Sequence, residues 1–307
     1  MVCASLLISC SHLQGASSGL GLALTQRVLA RGDRVIAAVR TPSKLSDIFS
    51  DAEKSHVNVL DLDVTESYAQ IKQKIDSAVQ QWGPVDVLVN NAGTGLLAIT
   101  EEGGYEGMMQ QLQTNFFGVM NVTNAVLPHL REQKNGTIVI IGSRSAWRNE
   151  FAGIGLYAAS KAAVHSYGET LAAELRPFNI RVLIVAPGSF KTPGIYPPSI
   201  IGPPIPDWAA TREEMEKRVK TLVTKSDQGD PMRGMDVVVD IVKGEGRVNL
   251  VKDQGEDGVE WPLWLFLGED AMSDVKAKIG RIAKVIDAWE DVGSNLGFVQ
   301  ENGGVGR

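Results

Sequence analysis

Gly15-Ala16-Ser17-Ser18-Gly19-Leu20-Gly21 is the stretch whose reading decides the fold. Its three glycines follow a short apolar run and open a segment of helical periodicity at about residues 19–30. Glycine permits a tight turn and lets backbone approach an anion closely. A helix N-terminus adds unpaired N–H groups and the positive end of the peptide dipoles. A strand, a glycine loop and a helix in that order can cradle a diphosphate. Gly15, Ser17, Gly19, Leu20 and Gly21 are the expected contacts. The spacing is G-x-x-x-G-x-G rather than G-x-G-x-x-G, and such turns are common, so the rest of the chain must decide.

Outward from this loop, apolar β-branched runs alternate with helix-period segments. Strands are predicted at Arg34–Val39, Val57–Val64, Val85–Val89, Thr137–Ile141 and Ile180–Val185. Helices are predicted at about 19–30, 66–81, 105–131 and 157–176. Repeated βαβ units imply a doubly wound parallel sheet flanked by helices. The strands are nearly continuous in apolar residues, as a sheet covered on both faces requires. From about residue 189 the character changes: six prolines fall between Pro193 and Pro206, before a charged helix near 208–225. A long irregular insertion beside an α/β site suits a substrate lid, here placed at 193–235. Trp261–Leu267 reads as a last strand or a pocket wall, followed by a helix near 270–288. The expected organisation is one domain over 1–307, with a core at 15–192, the lid, and a C-terminal extension at 236–307.

The 307 residues carry a net charge of −6, with 44% hydrophobic and 21% charged residues. That argues against a nucleic-acid footprint. Cys3 and Cys10 are too few for a disulfide framework, and four scattered His show no metal spacing. A reducing, cytoplasmic setting is expected. No apolar run reaches the roughly 18 residues of a membrane span. Residues 1–10 are apolar but lack the basic region of a secretory signal.

Further motifs recur at strand ends. Asp63-Val64 ends the third strand, where a carboxylate can accept from an adenine amino group. Asn90-Asn91-Ala92-Gly93 ends the fourth, Ser143 the fifth, and Pro187-Gly188-Ser189-Phe190-Lys191-Thr192 the sixth. Asn115 falls in a helix, and Tyr157-Ala158-Ala159-Ser160-Lys161 puts a phenol and an ammonium on one helical face. This set, in this order, resembles the short-chain dehydrogenase/reductase family, closely over 15–192 and in outline beyond. The resemblance implies a ketone and a secondary alcohol interconverted with a nicotinamide cofactor. It makes Tyr157 the general acid/base and Lys161 the cation that favours phenolate and holds ribose hydroxyls. Ser143 would stabilise the substrate oxygen, and Asn115 would anchor a proton-relay water. Asn91, Phe190 and Thr192 join the cofactor set. Ser145 competes with Ser143 for the serine role, and Ser143 is preferred because it follows the strand directly. His165 has no nucleophile to serve and reads as structural. Homo-oligomerisation through 105–131 and 157–176 is likewise implied by resemblance.

Cofactor choice is read at the end of the second strand, at Val39-Arg40-Thr41. No acid stands there to bind ribose hydroxyls, and an Arg suits a 2′-phosphate. NADP(H) is therefore preferred, with NAD(H) possible. Trp147, Phe151, Tyr196 and Trp208 suggest a bulky apolar substrate. An epimerase or dehydratase on the same scaffold, and a non-catalytic dinucleotide-binding regulator, are the alternatives. The front edge departs from the family: Gln14 stands where a threonine is usual, and Leu6-Leu7-Ile8 ends six residues early. A longer first loop would account for this, as would residues 1–14 originating from an alternative exon.

Overall fold

The structure is a computed structural model that describes residues 5–9, 16, 18–45, 48–193, 202–224, 227–248, 261–294 and 296–297. Seven strands form one sheet: β1 (Ser5–Ser9), β2 (Arg34–Val39), β3 (Val57–Asp61), β4 (Val87–Asn90), β5 (Gly136–Ile141), β6 (Ile180–Pro187) and β7 (Trp264–Leu267). Their order is β3-β2-β1-β4-β5-β6-β7, and each pair is parallel. Every residue of β4 and β5 is buried, as is all of β6 except Arg181.

Helices cover both faces because β-strand side chains alternate. On β2, Val35, Ala37 and Val39 join the cluster built on α1 (Gly19–Leu29). Ile36 and Ala38 join the opposite cluster, built with α3 (Tyr68–Trp82), α5 (Val119–Gln133) and α6 (Gly155–Leu175). The short α2 (Asp51–Lys54) precedes β3. The remaining helices are α4 (Thr100–Leu112), α7 (Ala209–Thr224), α8 (Pro231–Lys243) and α9 (Glu269–Gly293).

Three departures from the sequence reading have physical causes. β1 is the early apolar run: Leu6, Leu7 and Ile8 pair with β2 and β4 at the sheet centre, so a long connection precedes α1. Gly15 and Ser17 of the glycine loop lie outside the described residues. The single helix expected at 105–131 is two, α4 and α5. Gly104 takes φ 54° inside α4, and a π-helical turn at Gln113–Gly118 separates the helices. The third departure, α8, was not anticipated, although its caps are written in the sequence. The Asp230 carboxylate accepts the Met232 N–H, Pro231 opens the first turn, and Gly244 closes it at φ 69°. The apolar stripe of α8 (Met235, Val238, Val239) lies in the α1 cluster, and Arg31 bridges Asp236 and Asp240.

The π-helical turn is held by close packing. A Cβ on Gly118 would lie 2.9 Å from Val64 Cβ and 3.1 Å from its carbonyl oxygen. Gly118→Ala is expected to cost about 1–3 kcal/mol through overpacking. The denaturant midpoint reads it, and an unchanged midpoint would contradict the close approach.

Candidate active site

At the carboxyl end of β5, the Lys161 side chain comes up from α6 into a closed space. Its Nζ donates to the Ile141 carbonyl at 2.8 Å. Burial pushes its pKa down to about 8. Across the space stands Gly93, just beyond β4. An ideal Cβ there would meet Lys161 Nζ at 3.4 Å and Asn115 Oδ1 at 3.5 Å. The missing side chain leaves room beside both the ammonium and the amide oxygen.

Asn115 sits in the π-helical turn, a conformation often found at functional sites. Its Oδ1 accepts the Thr94 N–H at 2.8 Å. Its Nδ2 donates to the Thr94 carbonyl at 2.9 Å and to Ser160 Oγ at 3.0 Å. Ser160 donates in turn to the Tyr157 carbonyl. Both amide donors are therefore engaged, while Oδ1 accepts one hydrogen bond, from Thr94, and stands 3.5 Å from the Cβ position of Gly93. This relay fixes the first turn of α6. Tyr157 is half-buried, with its ring centroid 6.0 Å from Lys161 Nζ.

Ser143 lies two residues past β5. Its Oγ accepts the Ser145 N–H at 3.0 Å, which leaves its own O–H to donate. Its backbone N–H donates to His165 Nε2 at 3.2 Å. Nε2 is thus the acceptor, so this hydrogen-bond pattern assigns the ring proton to Nδ1. A Cβ on Gly142 would come within 1.9 Å of Nε2, so only glycine admits the ring. Burial first, and the Lys161 charge second, hold His165 down at about 3. The sequence reading gave His165 a structural part. The structure makes that part specific, as the clamp on the Ser143 backbone one helical turn beyond Lys161.

The residues expected to hold a nucleotide lie at the start of α1 and past the ends of β2 and β3. Ser18 is the N-cap residue of α1, the first turn holds no acid, and Gly19 takes φ 56°. That donor set fits an anionic diphosphate. Leu20 is buried in the core and the Gly21 carbonyl accepts from Thr25 Oγ1, so neither offers its side chain or oxygen outward. Arg40 Nη1 lies 3.7 Å from Asp63 Oδ2, which joins two residues picked separately from the sequence. Asp63 Oδ1 also accepts from the Thr65 N–H and hydroxyl. Asn91 is buried at the end of β4. Phe190 turns its ring into the core against Gly229 and Gly234, so its backbone is what it has left for a cofactor. Thr192 is half-buried beside it in sequence.

Tyr157, Phe151 and Val219 of α7 pack against a small buried cluster of Leu97, Ile154 and Ala158. The Arg218 guanidinium lies 4.0 Å over the Phe151 ring. Sequence reading missed how this helix is held. Glu102, almost wholly buried on α4, accepts from the Ile205 N–H at 2.8 Å and from the Arg212 guanidinium. The half-buried Trp208 donates to Glu101. Trp147 instead packs edge-on against Trp264 and Phe266, and Tyr196 lies outside the described residues. Among the described residues there is no group of metal-ligating side chains, and no helix is long and apolar enough to cross a membrane.

A sequence profile described as short chain dehydrogenase matches residues 12–195. The chain belongs to the short-chain dehydrogenase family. The match begins past β1, in agreement with the unusual front edge. The 3-ketodihydrosphingosine reductase of Bacteroides thetaiotaomicron is 38% identical over 183 residues, 59% of this chain and 63% of that protein. The aligned stretch thus spans under two thirds of that relative. A short-chain dehydrogenase from Streptomyces avermitilis superposes with TM-score 0.79 at 30% identity, over 97% of this chain and 100% of that one. One from Burkholderia cenocepacia, solved with NADP, shares the fold with TM-score 0.65 at 22% identity, over 93% and 96% of the two chains.

The His165 clamp has a pH signature. Its folded pKa of about 3 lies below the ordinary 6.5, so the unfolded chain binds the extra proton between those values. Its contribution to stability is complete above pH 6.5 and is lost as pH falls toward 3. Unfolding free energies from pH 7 to pH 4 should fall less steeply for His165→Asn than for wild type. Parallel slopes would contradict a buried neutral imidazole.

Proposed function

We propose that the chain is an NADP(H)-dependent oxidoreductase that interconverts a ketone and a secondary alcohol. The observation that carries this reading is the buried Lys161 ammonium at the end of β5, 6.0 Å from the Tyr157 ring centroid and beside Gly93 together with Asn115 Oδ1, with Ser143 two residues past the same strand. A bound nicotinamide supplies the hydride. Tyr157 gives a proton to the carbonyl oxygen in reduction and takes it back in oxidation. An ordinary phenol, with a pKa near 10, is a poor proton donor-acceptor at neutral pH. The Lys161 ammonium, shielded from water, lies 6.0 Å from the Tyr157 ring centroid, and a positive charge there favours the phenolate. Ser143 donates to the substrate oxygen as charge builds there. Asn115 Oδ1 and Lys161 Nζ face the same space, which suits a relayed proton. The cofactor set is Gly15, Ser17, Gly19, Leu20, Gly21, Arg40, Asp63, Asn91, Tyr157, Lys161, Phe190 and Thr192. Leu20 and Gly21 serve there by shaping the loop.

Segment 202–224 serves as part of the lid, and Glu102 is its anchor. A buried carboxylate needs its partners, so the clasp with Arg212 and Ile205 seats α7 over Phe151 and Tyr157. A small hollow there is lined by Leu97, Phe151, Ile154, Met215, Arg218 and Val219. The name of the Bacteroides relative supports a ketone on a long chain. The single-domain organisation is supported by β7, which adds the C-terminal segment to the edge of the sheet.

Two experiments follow. Tyr157→Phe should lower kcat for ketone reduction by about 10²–10⁴-fold with NADPH binding retained, as read by steady-state kinetics and nucleotide titration. Full activity in that variant would overturn the mechanism. Arg40→Ala should weaken NADPH binding at least about tenfold more than NADH binding, and equal losses would remove the 2′-phosphate assignment.

A further inference from the structure

Arg144 stands between Ser143 and Ser145, and its side chain gathers the ends of three neighbouring strands. Nη1 lies 2.8 Å from Asp270 Oδ2 and donates to Asp274 Oδ2 at 2.9 Å, while Nη2 donates to Ser189 Oγ at 3.0 Å. Arg144 follows β5, Ser189 follows β6, and both aspartates begin α9 just past β7. Asp270 holds the β6 end a second time, because its Oδ2 also accepts the Ser189 N–H at 2.9 Å. A Cβ on Gly188 would collide with the Asp270 carboxylate, so the glycine makes room for this contact. Arg148 adds a further contact to Asp274 at 3.3 Å.

Exposed ion pairs hold little, but Arg144 and Asp274 are each exposed by only 14%. Charge-assisted hydrogen bonds in such a setting are strong, and the guanidinium fork fixes their directions together. The loops they join matter more than the pairs. The β5 end carries Ser143, the donor to the substrate oxygen, and the β6 end carries Phe190 and Thr192 of the cofactor set. Their separation governs how a carbonyl meets the hydride donor, and small displacements there cost rate rather than affinity. His165 already holds the Ser143 backbone from α6. Both aspartates lie outside residues 12–195, the stretch matched by the family profile. We infer that Arg144 is a positioning residue, which with Asp270 and Asp274 sets the Ser143 loop against the cofactor loop after β6, so that the start of α9 completes the active site. This rests on the ketone–alcohol reading above.

Hydrogen exchange and kinetics on the full chain test it. In Arg144→Met, and in Asp274→Asn 130 positions away, amides at 143–146 and 188–190 should exchange at least about tenfold faster than in wild type. In the same variants kcat for NADPH-dependent ketone reduction should fall about ten- to a hundredfold, with NADPH affinity changed less than about threefold. Arg144→Lys keeps the charge but not the fork, and its kcat should lie between those of wild type and Arg144→Met. Unchanged exchange in both variants would overturn the inference. So would an unchanged kcat with only a lower melting temperature, which would make these pairs a fastening of α9 alone. A wild type inert on ketones would instead count against the reaction, and the exchange data would still decide the coupling.

Discussion

A lysine ammonium taken out of water at the end of β5 sets the terms for everything around it. Removing a cation from solvent is costly unless polar groups replace its hydration. The Ile141 carbonyl replaces part of it. Gly93 withholds a side chain so that the ammonium keeps open space toward Asn115. His165 answers the same charge by staying neutral, and a neutral imidazole can accept the Ser143 N–H. A charged ring would have no lone pair at Nε2 to offer. The buried cation and the position of the serine are therefore one arrangement.

Backbone irregularity supplies the precision. The π-helical turn at Gln113–Gly118 turns Asn115 toward Thr94 and Ser160, and so links the end of β4 to the first turn of α6. Gly118 lets this turn settle against Val64. On the substrate side, the Glu102 clasp ties α7 to α4. The sheet provides the frame, and these few polar contacts convert it into a site.

Much of this was legible in the sequence because the strands β2, β4, β5 and β6 are buried on both faces and therefore read as nearly unbroken apolar runs. The Tyr157–Lys161 pair was legible because helical spacing puts i and i+4 on one face. The split between α4 and α5 was not, since a π-helical turn leaves no gap in helical composition. Neither was the Arg40–Asp63 pairing, which joins the ends of two neighbouring strands. The packing of the Phe190 ring against Gly229 and Gly234 was not legible either, since these residues stand about forty positions apart. The α8 caps, Asp230-Pro231 and Gly244, stood in plain view and needed only the weak stripe between them to be trusted.

If the ammonium is retained for chemistry rather than for the fold, removing it should separate the two. Lys161→Met replaces the buried cation with an apolar chain of similar length. Thermal unfolding and NADPH-dependent reduction of a long-chain ketone, measured on the same preparation, give the most direct test. A melting temperature at or above that of wild type, with kcat/KM lowered at least about a hundredfold, is the predicted result. Turnover retained in the variant would contradict the account at its centre.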